Sequence, residues 1–398
     1  MKSFPPRTWL LAALTCVTAL LAHAEDAPKL QADVREAIVR VPAHVEDAWG
    51  KAVDGELLVT TFRPAGPGPF PLVVISHGRN PETRTEYKRQ RYESAARYFV
   101  RKGFAVAVPL RLGYGELAAA GDPESTGGCT APKFGPALKA AGLEILTVRE
   151  FMARQPDIDA SRTVLVGVSV GGIATIAATS AHVPGQVAAI NFAGGHGGDP
   201  EKHPGEPCQA DQLRRIYRGL GEGNARVAPP TPTLWVYAEN DRYFGSHHAR
   251  RWASAYANGG GSVDLRVLPA FGEDGHKLFT AGNDIWQPLV DEFLAPLGFD
   301  KPGRLQPPPA ALKGDGETVL PRALPSAQQA GFQKFLAAKL PRAFAVSGDG
   351  HWGYAQGDDA LSRALALCQR NIAPAGDDAQ IPTCHLYAVD ETVVRSTP

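Results

Sequence analysis

Ser169 sits in LVGVSVGGIATIAA, residues 165–178, where an apolar run breaks into Gly-X-Ser-X-Gly and at once resumes as small and apolar residues. A serine hydroxyl is a weak nucleophile at neutral pH, so it must be exposed, held in place and served by a base. A sharp strand-to-helix turn meets the first two needs. Backbone strain at the nucleophile, and neighbouring chain passing close by, leave room only for residues such as Gly167 and Gly171. The helix starting at Val170 then aims its N-terminus at the place where an oxyanion would develop.

A base and an acid that orients it are expected later in the chain, acid first, each on a loop that follows a strand. TLWVYAEND delivers Asp241 just past an apolar run, and LRVLPAFGEDGHKLF delivers His276 past the next one. In this reading His276 takes the Ser169 proton and returns it to the leaving group, while Asp241 fixes the imidazole tautomer and stabilises its charged form. Glu239 is the rival acid and is expected to point elsewhere, still within the strand end. Acyl transfer also needs two backbone NH donors for the oxyanion. The expected pair is Val170, directly after the serine, and Arg79, in the turn after LVVISHG. His77, which precedes the serine, reads as a loop brace. His196 and His203 read as solvated loop residues, and His247 and His248 as the polar start of a helix. Arg79, Arg111, Arg242, Tyr243 and Phe244 are expected around the mouth of the site, where they would suit a substrate with an aromatic or anionic portion.

These residues need a scaffold, and the chain supplies one. GELLVTTFRP, FPLVVISHG, FAVAVPL, SRTVLVGVS, QVAAINFAGG, PTLWVYAEND and VDLRVLPAFG read as strands. Between them lie helix candidates: TEYKRQRYESAARYFVRKG, ALKAAGLEILTVREFMARQ with an apolar face of Leu143, Leu146, Val148 and Phe151, ADQLRRIYRGL, and HHARRWASAYANG. DIWQPLVDEFLAPLG ends the series. Apolar strands alternating with helices predict a mostly parallel sheet covered on both faces.

Of 398 residues, 44% are hydrophobic and 21% charged, which suits a globular chain with a substantial core. Lys plus Arg and Asp plus Glu number 41 each, so no overall field favours nucleic acid or an anionic membrane. Residues 1–24 read as a signal segment: Lys2 and Arg7, an apolar stretch from Trp9 to Leu21, and Ala22-His23-Ala24 before two acids. The apolar stretch is short for a spanning helix, which needs about 20 residues. After cleavage behind Ala24, four cysteines remain: Cys129, Cys208, Cys368 and Cys384. An even count in an exported chain suggests two disulfides, most economically Cys129 with Cys208 and Cys368 with Cys384. No CxxC occurs and no histidine pair sits at ligand spacing beside these cysteines, which weighs against zinc. The catalytic unit is expected over 25–299. A proline-rich linker follows over 300–325, and a small α+β unit over 326–398 contains SAQQAGFQKFLAAKL, RAFAVS, DDALSRALALCQR and CHLYAVDETVV.

With PLVVISHG, VPLRLGYGE, QPDIDASRTVLVGVSVGG, YAENDRYF and FGEDGHKLF in the same order, residues 55–297 resemble the α/β-hydrolase superfamily, and within it the dienelactone hydrolase-like and prolyl oligopeptidase-like serine hydrolases. The resemblance implies an α/β-hydrolase fold, a triad of Ser169, Asp241 and His276, and hydrolysis of an ester or related acyl bond without metal or cofactor. There are two departures. Dienelactone hydrolases proper use a cysteine where Ser169 stands, so their lactone substrate does not carry over. Prolyl oligopeptidases carry an N-terminal propeller, for which there is no room, so peptide cleavage ranks second. The stretch from Phe332 to Arg395 resembles a small cysteine-bridged domain of exported bacterial proteins. The expected partner is a small ester or short peptide, with neither nucleic acid nor, once the signal is cleaved, a membrane. A binding module that retains an unused triad is the reading from another class.

Overall fold

The computed structural model describes residues 30–299, 326–348, 350–357, 359–371, 384–390 and 392–393. The signal segment and the linker lie outside them. A long hairpin comes first, β1 (Ala37–Glu46) antiparallel to β2 (Ala52–Phe62). There follow β3 (Phe70–Ser76), α1 (Glu93–Arg101), β4 (Ala105–Leu110), α2 (Phe134–Ala153), β5 (Ile158–Val168), α3 (Val170–Thr179) and β6 (Gln186–Phe192). The large unit closes with α4 (Ala210–Asn224), β7 (Thr233–Ala238), α5 (Ser246–Asn258), β8 (Val263–Leu268), the short α6 (Leu278–Ala281) and α7 (Asn283–Leu294).

The eight strands form one sheet in the order β1-β2-β4-β3-β5-β6-β7-β8, antiparallel through β1, β2 and β4 and parallel from β4 to β8. Two apolar clusters cover its faces. Leu72, Val74, Leu165, Ala189 and Trp235 face residues of α2, α3, α4 and α5, while Val73, Ile75, Val164, Ile190 and Val236 face those of α1, α6 and α7. Strands buried on both faces read as continuous apolar runs, which is why these were legible.

Three local readings are corrected. The stretch 85–103 is helical only from Glu93, because the Arg89 and Arg91 side chains reach back to the buried Glu36 carboxylate and Tyr92 takes a φ of 43°. On α2 the buried face is Leu138, Ala141, Ile145, Val148 and Met152, and Leu143 is exposed. Strand β1 was not expected; its alternating burial, rather than a long apolar run, marks an outer strand.

In the C-terminal region α8 (Ser326–Ala337), β9 (Arg342–Val346), β10 (Trp352–Gln356), α9 (Ala360–Arg370), β11 (His385–Val389) and β12 (Thr392–Val393) make a small α+β unit. Its four-stranded sheet runs β10-β9-β11-β12, all antiparallel. Cys368 on α9 is bridged to Cys384 at the start of β11, and both are buried. Among the described residues no helix is long and apolar enough to cross a membrane.

Register decides what meets at the sheet edge. Ser76 pairs with Gly167, Val168 with Phe192, Phe192 with Val236, and Ala238 with Leu268. The loops that begin at His77, Ser169, Ala193, Glu239 and Pro269 therefore all leave on one side. In an open parallel sheet that side carries the ligand crevice.

Candidate active site

The turn from β5 into α3 has the geometry the serine requires. Ser169 adopts φ 59° and ψ −127°, a conformation a non-glycine residue takes only under strain held by its surroundings. Those surroundings are tight. A Cβ on Gly167 would collide with the Gly171 carbonyl, and one on Gly171 with the carbonyls of Ser76 and His77. The Ser169 NH donates to the Phe192 carbonyl at 3.0 Å, and the Ser169 carbonyl accepts from Gly172 at 2.9 Å and from Gly195 at 3.3 Å. The backbone at Ser169 is thus fixed from β6 as well as from its own helix. The NH groups of Val170 and Gly171 lie in the first turn of α3, where no intrahelical acceptor exists.

On the next loops Asp241 and His276 meet. His276 Nδ1 lies 3.1 and 3.0 Å from the two carboxylate oxygens of Asp241, whose side chain is buried. Asp241 Oδ1 also accepts from the NH groups of Tyr243 at 2.8 Å and Phe244 at 2.9 Å. Asp274, which sequence reasoning missed, performs the same service for the turn of His276: its Oδ1 accepts from the NH groups of His276 at 3.0 Å and Arg242 at 3.1 Å. An aspartate two residues ahead of His276, capping a single turn, was the available signal. Tyr243 stacks on the imidazole at 4.2 Å and Phe244 meets it edge-on at 5.4 Å. Glu239, as expected, points away, to Ser246 and to Arg250 at 2.6 Å on the surface.

The loop after β3 rests on a buried polar network. His77 is fully buried; Nδ1 donates to the Gly78 carbonyl at 2.6 Å, and Nε2 accepts from the Arg111 NH at 3.2 Å. Burial, with the Arg111 cation beside it, pushes its pKa down to about 3, so it braces the loop as a neutral ring. The Arg111 guanidinium binds the Glu124 carboxylate, Ser76 Oγ at 2.8 Å and the His77 carbonyl at 2.7 Å. Burial acts to raise the Glu124 pKa, but Arg111 outweighs it and holds the carboxyl below its ordinary range. Tyr114 donates to Glu124 at 2.6 Å. The Arg79 guanidinium pairs with Asp122 at 2.7 Å and donates to Tyr114 at 3.0 Å. Arg111 is therefore not at the mouth of the site. It lies beneath the loop, fully enclosed, because a cation that far inside is retained only with a carboxylate of its own. Glu144 on α2 accepts from the Leu112 NH at 3.3 Å, and burial, then the nearby Glu124 charge, raises its pKa well above the usual range.

A cavity of about 600 Å³ opens above Ser169. Ser169, Val170, Arg79, Tyr243 and Phe244 line it, together with the bridge between Cys129 and Cys208, whose Cα atoms are 5.7 Å apart. His196 lines it too. Contrary to the solvated-loop expectation, His196 is only 6% exposed, packed at a tilt against the Phe134 ring with centroids 4.8 Å apart. Among the described residues one group has the donor types of a metal site: Glu206, His247 and His248. There both imidazoles already bond to the Glu206 carboxylate, at 3.2 and 2.8 Å, at the start of α5, where the helix dipole favours the anion over a cation.

A mostly parallel sheet covered on both faces, with a serine at the β5–α3 turn and an acid and a histidine on the loops after β7 and β8, defines an α/β-hydrolase fold. No family model matches the chain, and no curated protein matches it in sequence. Among solved structures it is similar to an acylaminoacyl peptidase of Pyrococcus horikoshii, at 18% identity, TM-score 0.44, covering 67% of this chain and 42% of that one. It is similar to an acetyl xylan esterase from Paenibacillus sp. R4, at 17% identity and TM-score 0.43, covering 66% and 88%. It is also similar to a protein of Klebsiella pneumoniae subsp. pneumoniae described as a dienelactone hydrolase, at 16% and 0.40, covering 64% and 97%.

Proposed function

We propose that the chain is a serine hydrolase that cleaves a carboxylic ester of a small substrate. The observation that carries this reading is the bond pair from His276 Nδ1 to Asp241, on loops leaving the same sheet edge as the strained turn of Ser169. His276 Nε2 removes the proton as Ser169 Oγ attacks the ester carbonyl carbon, and the carbonyl π pair moves onto oxygen. The oxyanion is received by the NH groups of Val170 and Arg79. Collapse expels the alcohol, which takes the proton from His276 and leaves an acyl-serine. Water, deprotonated by the same imidazole, attacks this acyl group and releases the carboxylic acid and Ser169. Asp241 holds the Nδ1–H tautomer throughout.

The chemistry is assigned to 25–299, followed by a linker over 300–325 and a small unit over 326–398, behind a signal over 1–24. Two disulfides support export to an oxidising compartment. The test is labelling by a fluorophosphonate probe, with turnover measured on p-nitrophenyl esters and aminoacyl-naphthylamides. Labelling lost in Ser169→Ala, with ester turnover above amide turnover, is the expected result. Labelling of folded wild type that is absent altogether would leave a binding module, and amide turnover above ester turnover a peptidase.

A further inference from the structure

Two long loops contribute to the wall of the cavity above Ser169: residues 121–133, which lead into α2, and residues 193–209, between β6 and α4. They are anchored differently. The second is tied to the frame of the site. The Gly195 NH donates to the Ser169 carbonyl at 3.3 Å, the Gly205 NH donates to the Arg242 carbonyl at 2.6 Å, and the Gly205 carbonyl accepts from Gly245 at 2.8 Å. The first is held at its ends, by the buried Glu124 and by Phe134 at the head of α2, but residues 127–131 between them are exposed. Side-chain amides cross to it from Gln209, reaching the Cys129 and Thr130 carbonyls at 3.3 and 3.4 Å, and from Gln212, reaching the Pro132 carbonyl at 2.9 Å. The disulfide from Cys129 to Cys208 crosses there too. The two longer hydrogen bonds lie at the surface, where water competes for both partners, and the covalent link has no such competitor. Cys208 is itself placed from the frame, its NH donating to the Gly197 carbonyl at 2.9 Å, and both bridged cysteines line the cavity with Ser169.

We propose that the bridge between Cys129 and Cys208 is the specificity-determining element of this cavity, fixing the 121–133 loop against the 193–209 loop and thereby setting the size of the ester that reaches Ser169. This rests on the hydrolase reading given above and adds what bounds its substrate. Without the bridge, the exposed stretch would yield to a larger group, because Gly127, already at a φ of 72°, gives its backbone wide freedom. With the bridge closed, the wall is organised before the substrate arrives, and an acyl chain too long for it has to displace a covalently tied loop. The second bridge has no such part. Cys368 and Cys384 are buried in the apolar cluster of the C-terminal unit, and neither is among the residues that line the cavity. Cys129, on the exposed stretch, is open to a reductant from which the buried pair is shielded.

The test follows kcat/KM along p-nitrophenyl esters from acetate to dodecanoate in wild type, in Cys129→Ala/Cys208→Ala, and in folded wild type reduced with tris(carboxyethyl)phosphine. The phosphine gives two electrons to the S–S bond and takes the oxygen of water as its oxide, and the protons of that water complete two thiols. Its concentration is set where alkylation and peptide mapping find Cys129 and Cys208 opened and Cys368 and Cys384 still bridged. Wild type is expected to lose kcat/KM steeply at one chain length. With the bridge opened by either route the fall should come at a longer chain. At the first chain that wild type rejects, kcat/KM should rise about tenfold, mainly through KM, about the worth of one misplaced methylene in an apolar pocket. The acetate should keep its kcat within about twofold. Reoxidation should restore the wild-type profile, and Cys368→Ala/Cys384→Ala should show that profile throughout. The reduced wild type, folded before treatment, serves if the double variant fails to fold. A wild-type profile with no fall, a fall that stays in place when the bridge opens, or an equal shift in Cys368→Ala/Cys384→Ala overturns the size limit while ester hydrolysis stands. Turnover of no ester by wild type, with no fluorophosphonate labelling, overturns the hydrolase reading itself and the size limit with it.

Discussion

The two flanks of Ser169 are built by different physics. On the proposed base side, Asp241 and Asp274 each hold a short turn by accepting backbone NH groups within three residues or from the adjacent loop, and His276 hangs between them. On the proposed oxyanion side, the loop bearing His77 and Arg79 is held by Arg111, Glu124, Tyr114 and Asp122, buried or nearly so and drawn from well along the chain. In the proposed mechanism, local carboxylate turns keep the general base oriented yet able to accept and give up a proton. A buried ion network costs more to assemble but leaves the NH donors little freedom, and fixed donors are what oxyanion stabilisation requires.

The flanks should therefore fail differently. Ser169→Ala and His276→Ala are each expected to lower ester turnover by roughly 10³- to 10⁶-fold, and the double variant should be little worse than either. Additive losses in p-nitrophenyl ester kinetics would separate the two residues. Asp241→Asn should cost about 10²- to 10⁴-fold in kcat, with Glu239→Gln close to wild type; the reverse ranking would move the acid. Next comes the oxyanion side. Arg111→Ala strands the Glu124 carboxylate in the interior and should cost about 3–5 kcal/mol in urea unfolding, whereas Asp274→Ala on the base side should cost about 1 kcal/mol and act mainly on kcat. Equal stability losses would erase the distinction between the flanks.

The smallest effect concerns Glu144. Its pKa is raised in the fold from an ordinary value of 4.5, so the folded chain keeps a proton that the unfolded chain releases. Stability from this group is fully present below about pH 4.5 and declines as pH rises through the folded pKa. Glu144→Gln cannot ionise and should gain on wild type progressively between about pH 5 and pH 8 in paired urea titrations. The same difference at both pH values would show that Glu144 is not proton-linked to folding.

The meeting of Asp241 with His276 was legible in the sequence because its signals are local: an apolar run, then Asp241, and another run, then His276. The sheet was legible for the same reason, through runs buried on both faces. The oxyanion flank was not. Arg111 reads as one more arginine after a strand, and only packing reveals that Glu124 waits beneath it. His196 reads as a polar loop residue among glycines, and its burial depends on Phe134, 62 residues upstream in α2. Asp274 was within reach through its spacing from His276, while β1 carried too weak a pattern to stand out.

Ser169 follows β5 and His276 follows β8, so under the proposed mechanism hydrolytic competence would be the last thing this unit acquires during synthesis. A ribosome-bound chain that ends before His276 would hold Ser169 and the NH groups of its helix but lack the proposed base. On that proposal turnover would be a completion signal, and a nascent chain could display Ser169 to water for the whole of its elongation without cleaving anything.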